Sequence, residues 1–254
     1  MLERCEESLE ALAALAPPDA QLARAVLETI TSGQELDLRR FAGASAENII
    51  ALQTDADLDD YAYRVAGCVG EFWTKTCRGQ LFPRAKLDDA RLLADAIRFG
   101  KGLQLVNILR DLPADLRQGR CYLPAERLAQ IGLPPADLLQ PENEPKLRPF
   151  YHECLDRAHG HLAAGWAYTN ALPRGQVRVR LACAWPILIG VRTLARLRQA
   201  NVLDSSQRVK ISRPEVRGII WRSVVRYPLR QVWAGQFEAQ TQAGKAIASG
   251  RDLP

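Results

Sequence analysis

Residues 102–115 read GLQLVNILRDLPAD, and four of their side chains carry oxygen at a regular step: Gln104, Asn107, Asp111 and Asp115. At about 100° per residue, with Gln104 at zero, Asn107 falls near −60°, Asp111 near −20° and Asp115 near +20°. These polar groups share an arc of roughly 80°, while Leu105, Val106, Leu109 and Leu112 span roughly +80° to +200°. A row of carboxylate and amide oxygens on one helical face suits a hard cation such as Mg²⁺. That ion is held by one or two carboxylates together with substrate phosphate oxygens and water. The plain alternative is a solvated polar face with Asp111 paired to a nearby arginine, and spacing does not separate the two. Pro113 forfeits one backbone hydrogen bond and predicts a local kink.

Helices must carry this row, and helical periodicity runs along the chain. Residues 20–41 place Leu22, Val26, Ile30 and Leu36 at four- and six-residue steps. Residues 58–78 place Tyr61, Val65, Cys68, Val69, Phe72 and Thr76 along one side, with Asp57 expected as N-cap and Asp60 in the first turn. A third helix is predicted over 87–112. Five prolines between 134 and 149 predict a surface loop. Further helices are expected beyond it, the last from about Pro214. The alternation VRVRL (177–181) has strand character. Val177, Leu181, Ala184, Leu188 and Val191 nevertheless satisfy helical spacing over a longer window. The expectation is an all-α fold, helical throughout, in a single domain spanning 1–254.

Composition narrows the function classes. A chain of 254 residues with 47% hydrophobic and 25% charged residues can bury a full core. The formal charge of +5 is mildly basic, but its arginines are scattered, with no run of the kind that marks a nucleic-acid tail. Six cysteines without a CxxC pair read as free thiols in a reducing compartment, and the three histidines have no cysteine partners at zinc-ligand spacing. The N-terminus lacks the basic segment and long apolar run of a secretory signal. The longest apolar stretch, LACAWPILIGV (181–191), is 11 residues and too short to span a bilayer. A cytoplasmic location follows as the expectation, with no nucleic-acid partner.

The wording of three stretches says more. LQLVNILRDLPADLRQGRCYLP (103–124) resembles the second aspartate-rich signature of the squalene and phytoene synthases, the head-to-head branch of the trans-isoprenyl diphosphate synthases. YAYRVAGCVGEFW (61–73) resembles that family's tyrosine-containing helix, and VKISRPEV (209–216) a more C-terminal element. GQELDLRRF (33–41) is similar to the segment before the tyrosine helix, so the resemblance runs in order over most of residues 30–220. The tyrosine-helix wording is closest to bacterial squalene synthases.

The resemblance implies an isoprenoid synthase fold, with antiparallel helices around a central apolar cavity. It implies coupling of two farnesyl diphosphates to presqualene diphosphate and, with NADPH, squalene. The alternatives are phytoene, dehydrosqualene or presqualene diphosphate as end product. It assigns Tyr61, Asp111 and Asp115 to catalysis, and Asn107, Asp111 and Asp115 to Mg²⁺. It assigns Val65, Val69, Gly70, Gln104, Asn107, Arg110 and Arg120 to the prenyl diphosphate, and Arg110, Lys210 and Ser212 to NADPH. Arg120 and Tyr122 would belong to a flap over the site. Chemically, an allylic diphosphate needs its departing charge neutralised and its carbocation shielded from water. Tyr61 would offer a ring face to a cation or a hydroxyl to a proton. On the residues alone, Tyr61 reads equally as core packing, and Gly67 and Gly70, each costing about 1 kcal/mol in a helix, as close helix contact. Peripheral membrane contact is compatible with apolar products.

The family's first aspartate-rich motif is absent upstream of GQELDL, so the expectation is a chain lacking N-terminal helices. DADLDD (55–60) offers Asp55 and Asp59 four apart, but its position reads as a helix start. The competing expectation is a non-catalytic relative acting in protein assembly.

Overall fold

The computed structural model describes residues 4–206 and 208–248. Helices follow one another along the chain: α1 (Cys5–Ala13), α2 (Pro17–Arg40), α3 (Asp55–Ala62), α4 (Cys68–Gln80), α5 (Asp89–Arg117), α6 (Ala125–Gln130), α7 (Glu144–Ala171), α8 (Val177–Leu197), α9 (Arg213–Arg226), α10 (Arg230–Ala234) and α11 (Gln236–Ala248). The predicted all-α architecture holds. Among the described residues the extended exceptions are a pair of two-residue strands, β1 (Ile50–Ala51) and β2 (Arg120–Cys121), paired in parallel, and an isolated bridge between Ser45 and Asn48. Two-residue strands carry no periodicity, so the sequence pattern does not reveal them. VRVRL lies inside α8, as its longer window required.

The helix starts differ from expectation in one instructive way. Thr54, not Asp57, caps α3: its hydroxyl accepts from the Asp57 N–H, and the Asp57 carboxylate accepts from the Thr54 N–H. Both residue types cap well, and the reciprocal capping box decides between them. The predicted helix over 58–78 thus begins at Asp55 and runs to Gln80, through a π-helical turn at Tyr63–Gly67.

That turn inserts one residue into the ladder and divides the predicted apolar stripe. Val65, Val69, Gly70 and Trp73 line a cavity towards α5 and α8, whereas Cys68 and Phe72 line a groove against α2. The predicted loop at 134–149 is also corrected. It forms two short 3₁₀ turns (Pro135–Leu139 and Pro141–Asn143) and then the start of α7, with Leu138 and Leu147 fully buried. Pro145 sits in the first turn of α7, where its missing N–H would have had no partner. The predicted last helix ends at Arg226. Pro228 and Gly235 divide the C-terminal stretch into α9, α10 and α11.

The core is built on α5. Its Leu105, Leu109, Leu112 and Leu116 pack with Tyr151, Leu155 and Leu162 of α7 and with Ile187, Leu188 and Val191 of α8. α5 and α7 run antiparallel at close range. A Cβ on Gly102 would stand 3.0 Å from His161, and one on Gly165 would meet the Phe99 ring at 2.8 Å. α5 also carries Pro113, the residue for which a local kink is predicted, within one continuous helix. Pro113 cannot donate to the Leu109 carbonyl; the fully buried Tyr151 hydroxyl donates to it instead, at 2.8 Å.

Candidate active site

The oxygen row predicted for α5 forms, and its members have different surroundings. Gln104 is half-buried, Asn107 exposed, and Asp111 and Asp115 half-buried. Asp111 is engaged by its neighbour: Arg110 donates through Nε to Oδ1 at 3.0 Å and through Nη2 to Oδ2. Arg208, from the loop before α9, approaches the same carboxylate at 3.8 Å. The paired-arginine alternative therefore describes Asp111 correctly.

It does not describe Asp115, which makes no ion pair or side-chain hydrogen bond among the described residues. Burial, followed by repulsion from Asp111, pushes the Asp115 carboxyl from 3.8 up to about 6, and the attraction of Arg120 and Arg110 only partly offsets this. A carboxylate left uncompensated beside a second one is a place where a cation lowers the energy.

Tyr61, at the end of α3, faces this end of α5 through Tyr122. The two rings lie 4.7 Å apart between centroids, tilted by 30°. Burial pushes the Tyr61 hydroxyl above its ordinary value, Tyr122 draws it down, and Asp37 and Asp115 raise it, so it is held protonated. Tyr122 donates to Asp37 Oδ1 at 3.1 Å, and Arg120 donates to Asp37 Oδ2 at 3.1 Å. Asp37, on α2, is the residue that sequence reasoning missed. GQELDLRRF stands out as a segment, but nothing local gives its aspartate a role, and its partners lie more than eighty residues away.

Residues 119–121, at the base of the segment read as a flap, are tied to β1 by backbone hydrogen bonds. Ile50 donates to the Gly119 carbonyl at 2.8 Å and Leu52 to the Cys121 carbonyl at 3.0 Å. Gly119 has φ +79°, and a Cβ there would stand 2.3 Å from the Ser45 nitrogen, so only glycine fits the bend. Tyr122 is buried.

Val65, Val69 and Gly70 border an apolar cavity of about 390 Å³, together with Trp73, Phe99, Leu103 and Tyr168. Its volume lies within the range typical of small-molecule pockets. Gly70 has a second duty: a Cβ there would stand 2.1 Å from the Ala96 carbonyl, and one on Gly100 would stand 2.1 Å from that of Ala66. Close approach of α5 to the tyrosine helix thus accounts for Gly70, and the cavity lies along that contact. Gly67 is less tightly placed, with its nearest neighbour at 3.0 Å.

Other candidates have structural partners. The Ser212 hydroxyl caps α9 by accepting from the Glu215 N–H and donates to the Glu215 carboxylate at 2.7 Å, and Lys210 is exposed while its carbonyl accepts from Arg196. Arg208, not Lys210 or Ser212, is the side chain from this loop that approaches Asp111. Asp55 and Asp59 are neutralised: Arg127 and Arg157 hold Asp55 at 3.1 and 3.0 Å, and Lys101 holds Asp59 at 2.6 Å.

The residues fit a hard cation as a two-carboxylate site. Asp111 and Asp115 are one turn apart, Asn107 lies one turn before them, and Asp115 has no ion-pair partner among the described residues, its charge only partly offset by Arg120 and Arg110. Among the described residues no group of three or more acidic, histidine or cysteine side chains converges as a ready metal cage. The remaining positions around such an ion would fall to ligand oxygens and water.

The family profile described as Squalene/phytoene synthase matches residues 2–215. The chain belongs to this family. Its relatives include the 15-cis-phytoene synthase of Synechococcus elongatus, 31% identical over 190 residues that cover 72% of this chain and 54% of that protein. The bifunctional lycopene cyclase/phytoene synthase of Gibberella fujikuroi is 32% identical over 178 residues, 66% of this chain and 29% of that protein. Phytoene synthase 2 of Solanum lycopersicum is 29% identical over 159 residues, covering 61% and 48%. The chain thus spans about half the length, or less, of these curated relatives.

Among solved structures, the complex of the squalene synthase TcSQS with the ligand BPH1237 superposes with a TM-score of 0.69 at 19% identity, covering 93% of this chain and 72% of that one. Squalene synthase HpnC from Alicyclobacillus acidocaldarius gives 0.56 at 23% identity, covering 70% and 60%. These likenesses establish the isoprenoid synthase fold. No helix of the described residues is long and apolar enough to cross a membrane.

Proposed function

We propose that this family member couples two prenyl diphosphates head to head, with the α5 aspartates at the diphosphate end and the cavity beside α4 holding an isoprenoid chain. The observation that carries this reading is Asp115, a half-buried carboxylate without a cation, one turn from Asp111 on the helix that also borders the apolar cavity. Asn107, Asp111 and Asp115 would hold Mg²⁺, which, when bound, supplies neutralising charge to the departing diphosphate. Arg110, Arg120 and Arg208 supply fixed positive charge at the same end, and Gln104 offers a neutral donor there. Val65 and Phe99, with the exposed Val69 at the rim, give the developing carbocation an apolar lining in place of water. Tyr61, protonated and stacked on Tyr122, presents a ring face and a hydroxyl whose acidity Asp37 and Asp115 suppress.

Farnesyl diphosphate as substrate and squalene as product, with NADPH as reductant, are favoured by the tyrosine-helix wording, which resembles bacterial squalene synthases. A second reading, phytoene formation without a reductant, is favoured by the phytoene synthases among the sequence relatives. It is also favoured by the engagement of Arg110 with Asp111 and of Ser212 with Glu215. Incubation with Mg²⁺ and farnesyl or geranylgeranyl diphosphate, with and without NADPH, separates the two. Squalene formed only with NADPH supports the first, and phytoene from geranylgeranyl diphosphate supports the second. Asp111→Ala is expected to abolish diphosphate release. Full turnover by that variant, or no release from either substrate by a chain extended to the length of its relatives, would sink the proposal.

A further inference from the structure

At the opposite end of α7 from the aspartates lies a crevice of about 340 Å³, bordered by Asn170, Arg174, Arg180, Tyr227, Arg230 and Trp233. Tyr151, which reaches Leu109 beside the aspartates, and Asn170 are separated by about 28 Å along that helix at 1.5 Å per residue. The crevice is therefore separate from the site described above.

Arg180 is 6% exposed. A guanidinium buried to that degree ordinarily has a carboxylate against it, because an uncompensated charge out of water is costly. Arg180 has none. Its Nη2 donates to Asn170 Oδ1 at 2.9 Å and its Nη1 to the Leu172 carbonyl at 3.4 Å. The rings of Tyr227 and Trp233 lie 5.5 and 5.6 Å from its Cζ. Its Nε is buried without a hydrogen-bond partner.

The charges nearest Arg180 compound the deficit. Burial lowers its proton affinity first, Tyr227 raises it in part, and the cationic Arg174 and Arg230 lower it further. Arg174 donates only to the Pro228 carbonyl, and neither it nor Arg230 is in an ion pair among the described residues. The Asn170 carbonyl oxygen is already shared between Arg180 and the Trp233 indole N–H at 2.8 Å. Ring stacking and carbonyl contacts explain how Arg180 pins α8 against α9 and α10. They do not explain why two more arginines converge on the same crevice with no acid to meet them among the described residues.

We propose that this crevice binds a phosphate-class oxyanion, either free phosphate or the phosphate of a lipid headgroup. Three guanidiniums without a carboxylate match the two negative charges and several acceptor oxygens of such a group, and arginine's planar fork binds it through paired hydrogen bonds. Leu229 and Val232, on either side of Arg230 in sequence, are exposed apolar residues that would meet acyl chains in the lipid case.

The test uses the full chain without divalent metal. Thermal unfolding is followed in sodium phosphate and in sodium chloride of equal ionic strength, and co-sedimentation is measured with phosphatidylcholine vesicles with and without phosphatidic acid. The expected result for free phosphate is a saturable rise in Tm of about 4 °C at a tenfold excess over Kd. This rise is lost in the double variant Arg174→Gln/Arg230→Gln and kept in Arg178→Gln, an exposed arginine outside the crevice. Binding to phosphatidic acid vesicles with the same arginine dependence, and no response to phosphate, identifies the lipid headgroup as the source.

Far-UV circular dichroism checks that the double variant folds. In the wild type, the ¹⁵N–¹H resonance of Arg180 Nε should move on ligand addition, which needs no variant. The proposal is overturned if neither probe acts, if the Arg180 resonance stays still, or if the double variant responds as the wild type does. The last result would place the anion at the Arg110–Arg208 end instead.

Discussion

Replacing Asp115 by asparagine should stabilise the metal-free protein while removing its function. The Asp115 carboxyl is held at about 6 in the folded chain, against 3.8 when unperturbed. Between those values the folded state binds the proton more tightly than the unfolded state does. Stability therefore falls as pH rises through that window, and the full penalty is present above it. The gap corresponds to about 3 kcal/mol at 1.36 kcal/mol per pH unit, and screening by water at a half-buried side chain reduces it to about 1 kcal/mol. Asparagine carries no charge and escapes that penalty. At pH 7.5 without divalent ions, Asp115→Asn should unfold about 3 °C above the wild type. The difference should vanish below 3.8, where both proteins are neutral at this position.

The same substitution should invert the order of stability once Mg²⁺ is added. The wild type gains stability from a ligand bound only by the folded state, and the variant does not. Proton competition at about 6 also makes Mg²⁺ binding to the wild type about tenfold weaker at pH 5 than at pH 7. Melting curves by differential scanning fluorimetry, at three pH values with and without Mg²⁺, read all of this together. A variant no more stable than the wild type at pH 7.5 would refute the picture of Asp115 as an uncompensated carboxylate. A more stable variant that still responds to Mg²⁺ would leave the strain intact and refute the metal assignment.

Tyr151→Phe removes the hydroxyl that serves the Leu109 carbonyl beneath Pro113 and leaves that buried oxygen unpaired. The expected loss is about 1–3 kcal/mol, read from the urea midpoint, and an unchanged midpoint would show that the carbonyl finds another donor. Gly70→Ala drives a methyl to within 2.1 Å of the Ala96 carbonyl. It should cost about 2 kcal/mol or more as α5 is pushed from the tyrosine helix, with a lower Tm as the readout, and a Tm equal to the wild type's would show that the contact yields freely.

How much of the fold and site is legible in the sequence depends on the distance over which each feature is decided. The oxygen row on α5 and the helical character of VRVRL depend on local periodicity, and both are readable. The Thr54 cap, the strand pair and the π-turn depend on a few local hydrogen bonds that leave no repeating mark. Asp37, Arg208 and Arg180 act through partners brought together only by the fold; Arg120 and Tyr122 lie 83 and 85 residues from Asp37.

The contrast between the two acidic stretches is sharper. Asp55 and Asp59 have the same four-residue step as Asp111 and Asp115, and by spacing alone either pair would hold a cation. Packing separates them. Arg127, Arg157 and Lys101 converge on the first pair and neutralise it, whereas Arg110 and Arg208 attend to Asp111 and leave Asp115 bare. Spacing reports which carboxylates share a face, and the packed neighbours decide which of them still lacks a counter-charge. The crevice at Arg180 follows the same logic with the sign reversed. In both places an unmet charge points to a ligand, because burial makes leaving that charge unmet costly.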